Sequence, residues 1–297
     1  MKFENTEVWG FKHALRGMRN PKNSWDKSDS KFSLYRVDKG DVLPKELLKA
    51  YPNAYITEQH YDCLGRLCSY VPIIIGEKDM KLAQSLIRAG GEHRKFLRQI
   101  FVSVDITAPL YWWKEFDTYK IGTVANSTST MHKIASKPIT LDCFEIDDYD
   151  PDLLWYINCD CRPAGEGEEY DVEIAYGVND FMSMLEDLRQ RHLTYIEKSK
   201  SKDITDAERK HFQRIAKKYW KELIRWLPES WLQTRTVTMD YENLFAMCSK
   251  GQRRFHKLNE WSGIDDNTLE NFIKWARTLP YAQEFIFIDE LEEKRDE

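Results

Sequence analysis

The sequence predicts an α+β fold in which a mixed or antiparallel sheet is flanked by helices and interrupted by one long helical insertion. Three observations carry this. Alternating apolar segments at Tyr55–Tyr61, 69–75 and 99–106 read as strands, because a period of two places apolar side chains on one face of a sheet. Residues 43–51 and 79–89 read instead as short helices, the second stopped by Gly90-Gly91. Two long amphipathic stretches then fill about 178–228, so residues 1–297 are expected to form one domain with a helical hairpin inserted there.

The first five elements predict a small sheet with helices on one side, ahead of residue 107. Pro109 then suits a first helical position, where its missing N–H has no helical partner to lose, and Leu110, Tyr111, Trp112 and Trp113 continue as an aromatic helix. After Lys120 the only large side chain before Met131 is Val124. Asn179 can cap a helix whose stripe is Phe181, Leu185, Leu188, His192 and Tyr195. Residues 198–202 read as a charged linker. Thr205-Asp206-Ala207-Glu208 is a capping box that opens the strongest helix, with Phe212, Ile215, Ala216, Tyr219, Trp220, Leu223, Trp226 and Leu227 on one face before Pro228. A lone histidine on such a face, as His192 is, suits a satisfied interior position.

Composition narrows the function classes. With 42% hydrophobic and 13% aromatic residues, a globular core is well supplied. The net charge is −5 and the basic residues are scattered except around residues 198–221, so polymeric nucleic acid is not expected as a partner. Val71-Pro72-Ile73-Ile74-Ile75 is too short to span a bilayer and the start lacks a signal-peptide core, which predicts a cytoplasmic protein. Six cysteines are too few for a disulfide scaffold and suit reduced thiols. Cys159-Asp160-Cys161 supplies half of a tetrahedral zinc site with no second pair, and no metal is expected. The acidic run Glu145, Asp147, Asp148, Asp150, Asp152 lacks the glycine-punctuated spacing of a calcium loop, and Gly165-Glu166-Gly167 puts acids where a phosphate would sit. Ten tryptophans suit core packing, or a partner surface on the hairpin.

The stretch from Ile106 to His132 is the most informative. An apolar strand leads through Ala108-Pro109 and the aromatic helix into Thr118-Tyr119-Lys120, then into the polar run Asn126-Ser127-Thr128-Ser129-Thr130. This order resembles the signature region of the flavin-dependent thymidylate synthases, which reads strand, Ala-Pro, aromatic helix, Arg-His-Arg, seven residues, Ser-any-Arg. The spacing fits without a gap: Thr118-Tyr119-Lys120 falls on Arg-His-Arg, residues 121–127 are the seven-residue spacer, and Thr128-Ser129-Thr130 falls on Ser-any-Arg. Upstream, residues 82–91 with Phe96 resemble the family's helix, glycine stop and turn. Downstream, Leu244 and then His256-Lys257-Leu258-Asn259-Glu260-Trp261 resemble its C-terminal helix, with Arg253 and Arg254 close to its nucleotide-binding arginine. The likeness covers about 80–132 and 231–280. Lys120 alone keeps a motif cation, and Thr118 and Thr130 stand where the family uses arginines on the nucleotide, which implies a diverged member.

The resemblance implies a flavoprotein that holds FAD, takes hydride from NADPH, and moves a one-carbon unit from methylenetetrahydrofolate to dUMP or a related pyrimidine nucleotide, in a homotetramer. It implies flavin contacts from Tyr119, Lys120, Thr123 and His256, and nucleotide contacts from Glu115, Asn126, Thr128, Ser129, Thr130, Arg253 and Arg254. No protein nucleophile is required. A threonine does not replace a charged, bidentate guanidinium, so deoxyuridylate methylation should be weak. The alternative is a non-catalytic member of the fold that binds a nucleotide or a protein. The hydroxyl run has its own plain reading, a turn closing hydrogen bonds onto its own backbone.

Overall fold

The computed structural model describes residues 1–32, 35–36, 45, 48–49, 54–63, 65–147, 155–160, 171–176, 178–249 and 253–291. Its strands are β1 (Lys2–Trp9), β2 (Tyr35–Arg36), β3 (Tyr55–Tyr61), β4 (Leu67–Ile73), β5 (Phe101–Pro109), β6 (Val124–Ser127), β7 (Trp155–Asp160), β8 (Asp171–Tyr176) and β9 (Leu232–Asp240). The helices are α1 (Phe11–Arg19), α2 (Glu77–Arg88), α3 (Leu110–Phe116), α4 (Thr130–Lys133), α5 (Val178–Lys200), α6 (Asp206–Arg225), α7 (Tyr241–Cys248), α8 (Asn259–Ser262), α9 (Phe272–Arg277) and α10 (Ala282–Phe285). The result is a mixed α+β protein in two compact units: Met1–Thr107, Phe116–Asn126 and Arg235–Glu297 form the first, Ala108–Glu115 and Ser127–Thr234 the second.

The first unit is built on a sheet of order β1-β5-β9-β6. Along β5 the pleat buries Val102, Val104 and Ile106, while Ser103 bonds Thr238 at 3.2 Å and Asp105 accepts from Thr236 at 2.5 Å and Asn5 at 2.8 Å on the other face. β1 runs antiparallel to β5 with a bulge between Glu4 and Glu7, where Asn5 sits at φ 51°. Gly10 then turns the chain into α1 at φ 98°; a Cβ there would lie 1.9 Å from the Gln99 carbonyl oxygen, so only glycine fits. A second, antiparallel sheet has order β2-β4-β3. Phe11 of α1 packs against Tyr241, Tyr281 and Phe285, and Phe272 joins Trp261, Trp275 and Phe116. Deep in this unit Asp79 accepts from Arg19 Nε, Ser28 Oγ and Ser30 Oγ, each at 2.6 Å. Burial works against the charge, yet these bonds prevail and hold the carboxyl below its usual range.

The second unit is dominated by the antiparallel pair α5 and α6. Leu185 and Leu223 are fully buried with Ile134, Ile139 and Phe144, and Phe181, Leu188, Trp220 and Trp231 pack around them. Tyr195 stacks on Tyr219 at 5.7 Å, and His192 Nδ1 lies 2.9 Å from the Ala216 carbonyl, which satisfies it as an interior histidine. The capping box forms as its residues dictate, with Thr205 Oγ1 accepting from Glu208 N and Glu208 reaching back to Thr205 N. Glu186 receives Arg189 and the Ile139 amide, and these bonds hold its carboxyl down at about 2. β7 and β8 form an antiparallel pair.

Several expectations need correction. The strands before residue 107 do not share one sheet, because β5 is claimed by the distant β1 and β9 while β3 and β4 pair with β2. Pro109 is the last strand residue and the helix begins at Leu110, whose N–H donates to Trp231 O at 3.1 Å while that of Tyr111 donates to Glu229 O at 3.2 Å. Asn179 lies inside the first turn of α5, and α5 continues through Lys200, so the linker is shorter than 198–202 suggests. Trp226 is 55% exposed because the helix ends one residue before it. Of the expected helix at 43–51 only Lys45, Leu48 and Lys49 are described, all three helical, while Asp148 to Asp152, the Cys161 end of the cysteine pair, and Gly165 to Gly167 lie outside the described residues. Among those that are described, no helix is long and apolar enough to cross a membrane.

Candidate functional site

The segment after α3 is held in the first unit by a series of side chains from β9, α7 and the turn after it. Arg235 Nη1 meets Asp117 at 2.8 Å. Asn243 Nδ2 donates to the Ile121 carbonyl at 2.5 Å and to Thr123 Oγ1 at 2.9 Å, with its own N–H fixed by the Asp240 cap at 2.9 Å. Between these anchors Gly122 takes φ 74°, and a Cβ there would come within 2.8 Å of Asp240 and 2.9 Å of Asn243. Asp240 is pushed up by burial, against the amides it caps.

Tyr119 and Arg253, 134 residues apart, meet inside this arrangement: Arg253 Nε–H donates to the phenol oxygen at 3.0 Å. The same guanidinium lies 5.3 Å from the Tyr119 ring centroid and 4.8 Å from that of the fully buried Trp261. Stacking on two aromatic faces fixes the plane of the guanidinium. His256 lies 6.3 Å from the Trp261 ring, and its Nδ1 accepts from Leu258 N at 3.1 Å, which leaves the proton of a neutral ring on Nε2. Lys120 is exposed and makes no ion pair among the described residues.

Arg254 behaves differently. It is 7% exposed and gives Asp289 two bonds, at 2.6 and 3.3 Å, and Glu290 one at 2.7 Å. Glu290 also receives Arg277 at 2.7 and 2.9 Å; the Arg277 bonds, with Arg254 adding to them, hold its carboxyl low. This guanidinium is committed to carboxylates. A cleft of about 700 Å³ is lined by Arg254, Phe255, Lys274 and Arg277, among others.

The polar run is spent largely on its own surroundings. In the second unit Thr128 N and Oγ1 both bond the Thr234 carbonyl, at 2.9 and 3.1 Å. Ser129 caps α4 and lies 2.6 Å from His132 Nδ1, while Thr130 Oγ1 accepts from Gln233 Nε2 at 3.1 Å. Only Ser129 closes a local turn of the kind the residue types suggest; Thr128 and Thr130 bond Thr234 and Gln233 of β9 instead. Glu115 is half-buried on α3, and Asn126 is exposed on β6, where a connecting loop was expected. Trp112 and Trp113 are core residues, with Trp113 Nε1 donating to Gln233 O at 2.9 Å.

The structure thus brings Tyr119, Arg253 and His256 together around Trp261 in the first unit, holds Thr123 separately on Asn243 in that unit, and places Thr128, Ser129 and Thr130 in the second. Sequence reasoning did not single out Asp117, Gly122, Arg235, Asn243 or Trp261 as site-building residues. The Asp240-x-x-Asn243 spacing is a helix-cap signal that could have pointed to two of the positions around Gly122.

No protein family matches the chain by sequence, and no curated protein matches it. Among solved structures it is similar to a flavin-dependent thymidylate synthase from Helicobacter pylori complexed with FAD and dUMP, at 12% identity and TM-score 0.47 over 97% of this chain and 99% of that one. It is also similar to a UMP/dUMP methylase from Streptomyces cacaoi bound with 5-Br UMP, at 14% identity and TM-score 0.37 over 72% of this chain and 83% of that one.

Proposed function

We propose that the protein is a diverged relative of the flavin-dependent thymidylate synthases that binds a pyrimidine nucleotide and FAD through the Tyr119 and Arg253 framework. One observation carries the reading. Tyr119 in the middle of the signature frame and Arg253 ahead of His256, which the resemblance assigns to one composite site, are in direct contact at 3.0 Å. The residues suit the ligands. Arg253 offers a rigid cation backed by two rings, Lys120 an uncommitted one, and both can face a phosphate. Thr123, fixed by Asn243, and His256 contribute polar groups toward the flavin. A bound flavin would supply the hydride chemistry; the chain's own groups bind and orient. NADPH and methylenetetrahydrofolate are the co-substrates of this reading.

A second reading, a nucleotide-binding protein without turnover, is favoured by the commitments of the other candidates. Arg254 is held by Asp289 and Glu290, Thr128 and Thr130 are bonded to Thr234 and Gln233, and no arginine stands at 118 or 130. Two missing charge-assisted bonds at about 1.5 to 3 kcal/mol each would weaken a phosphorylated ligand by orders of magnitude. Methylation of dUMP with FAD, NADPH and methylenetetrahydrofolate is therefore expected to be slow or absent.

A thermal-shift panel with FAD, UMP and dUMP tests the binding itself. A ligand at a hundredfold excess over its Kd should stabilise the wild type by about 2.7 kcal/mol. The shift should shrink in Lys120→Ala with Arg253→Ala. No shift with any of the three, or an equal shift in the variant, removes this reading. Rapid dUMP turnover would instead show that the lost arginines are dispensable.

A further inference from the structure

The averaged charge of the chain hides a local concentration. On α6 the residues Lys210, Arg214, Lys217, Lys218, Lys221 and Arg225 are all exposed. At 3.6 residues per turn they fall within about a 100° arc, opposite the buried Ala216 and Leu223. Arg225 is paired with Glu222; the other five make no ion pair among the described residues. The neighbouring helix shows what an ordinary solvated face does here. On α5 three of the four Lys and Arg side chains are matched within a turn, Arg189 with Glu186, Arg191 with Asp187 and Lys200 with Glu197, and the fourth, Lys198, lies over the Tyr195 ring. Like charges three and four residues apart repel instead, so the α6 stripe destabilises its own helix unless an anion lies against it.

We propose that this face of α6 binds the phosphate backbone of a nucleic acid. Successive cations lie about 4.5 to 6 Å apart along some 22 Å of axis, apart from the adjacent Lys217 and Lys218, which suits a linear polyanion rather than one compact anion. The arc holds no aromatic or aliphatic anchor of the kind that carries a protein interface. Insertion into a membrane surface would need the apolar face of the helix, and that face is buried against α5 and residues 134–144. Phosphate contacts of this type carry no base sequence, so binding should be sequence-independent and salt-sensitive.

Fluorescence anisotropy with a labelled 20-nucleotide single strand and its duplex, on the full chain, tests this. At 50 mM salt the wild type should bind in the micromolar range. It should lose on the order of a hundredfold in affinity by 200 mM, the expected slope for about four phosphate contacts. Combined Lys210→Gln, Arg214→Gln, Lys217→Gln and Lys221→Gln should abolish most of the binding while far-UV circular dichroism stays unchanged, since glutamine is as helix-compatible as lysine. Combined Lys12→Gln, Lys22→Gln, Lys27→Gln and Lys78→Gln removes the same charge from exposed positions in the first unit and should leave binding within about twofold. No binding by the wild type, or equal loss in the two variants, overturns the proposal. So does equally tight, equally salt-sensitive binding of polyglutamate or of vesicles of anionic lipid.

Discussion

At the scale of single residues, the decisive distinction is between charges that are committed and charges that are held ready. Arg19 and Asp79 belong to the first kind: both are buried and each depends on the other, so truncating one partner strands the other away from water. Asp79→Ala should cost about 3 to 5 kcal/mol, read as a lower urea midpoint with an unchanged slope. The pH dependence follows from the depressed carboxyl. A group whose folded pKa lies below its unfolded one stabilises fully above the unfolded value, near 3.8 here, and loses that contribution as pH falls toward the folded value. The stability gap between wild type and Asp79→Asn should therefore be flat above pH 5 and narrow below pH 4; a gap constant to pH 2 would mean the carboxylate charge is not what matters. Lys120 belongs to the second kind, exposed and without an ion pair among the described residues. Arg253 is oriented by the Tyr119 and Trp261 rings and donates to the Tyr119 phenol, whereas the adjacent Arg254 meets carboxylates. Arg254→Ala should then unfold the protein more readily, whereas Arg253→Ala should chiefly weaken ligand-induced stabilisation.

At the scale of elements, local chemistry predicted what local chemistry controls. The α6 capping box, the buried stripe along α5 and α6, the stop at Gly90 and the strand at β3 could all be read from spacing, because each depends on contacts within a turn or a pleat. Thr205→Ala should cost about 1 kcal/mol as a lost cap, and Leu223→Ala about 2 to 5 kcal/mol as a cavity where Leu185 and Phe144 meet. Equal, small effects in thermal melts would mean the hairpin does not hold this unit together. What stayed hidden was long-range. β1 reads Lys-Phe-Glu-Asn-Thr-Glu-Val-Trp, too polar to signal a strand, and forms because β5 offers it an edge. β9 was missed because threonines fill its outward positions, and β6 because a run of hydroxyls and amides looks like a loop. For the site, the frame around Tyr119 was legible by spacing alone, but the fates of Arg253 and Arg254 were not, since only tertiary structure decides which of two neighbouring arginines meets a carboxylate and which an aromatic ring.

At the scale of the molecule, a flavin site of the kind the resemblance implies is assembled from several subunits, and the surface beside the candidate residues is suited to being covered. Ile121 is 90% exposed and Val124 64%, on the segment that carries Tyr119 and Lys120, and Phe255 is 58% exposed in the turn that carries Arg253. Single exposed apolar residues are ordinary on a soluble surface, yet three on the two segments that frame one candidate site are the pattern expected where a second copy of the chain closes over it. Burying Ile121 and Val124 at a symmetric contact would remove their apolar area from water and would also shield Arg253 and Lys120, strengthening their hold on a phosphate as the local dielectric falls. The expected outcome is a homo-oligomer, a tetramer, in sedimentation velocity at micromolar concentration, with FAD and a pyrimidine nucleotide favouring assembly. Ile121→Asp with Val124→Asp should shift the species toward monomer and weaken the ligand-induced thermal shift in step, without lowering the urea midpoint of the isolated chain, because neither side chain contributes to its core. A wild-type monomer that binds both ligands and never assembles would place the whole site within one copy and would leave these exposed residues to ordinary solvent.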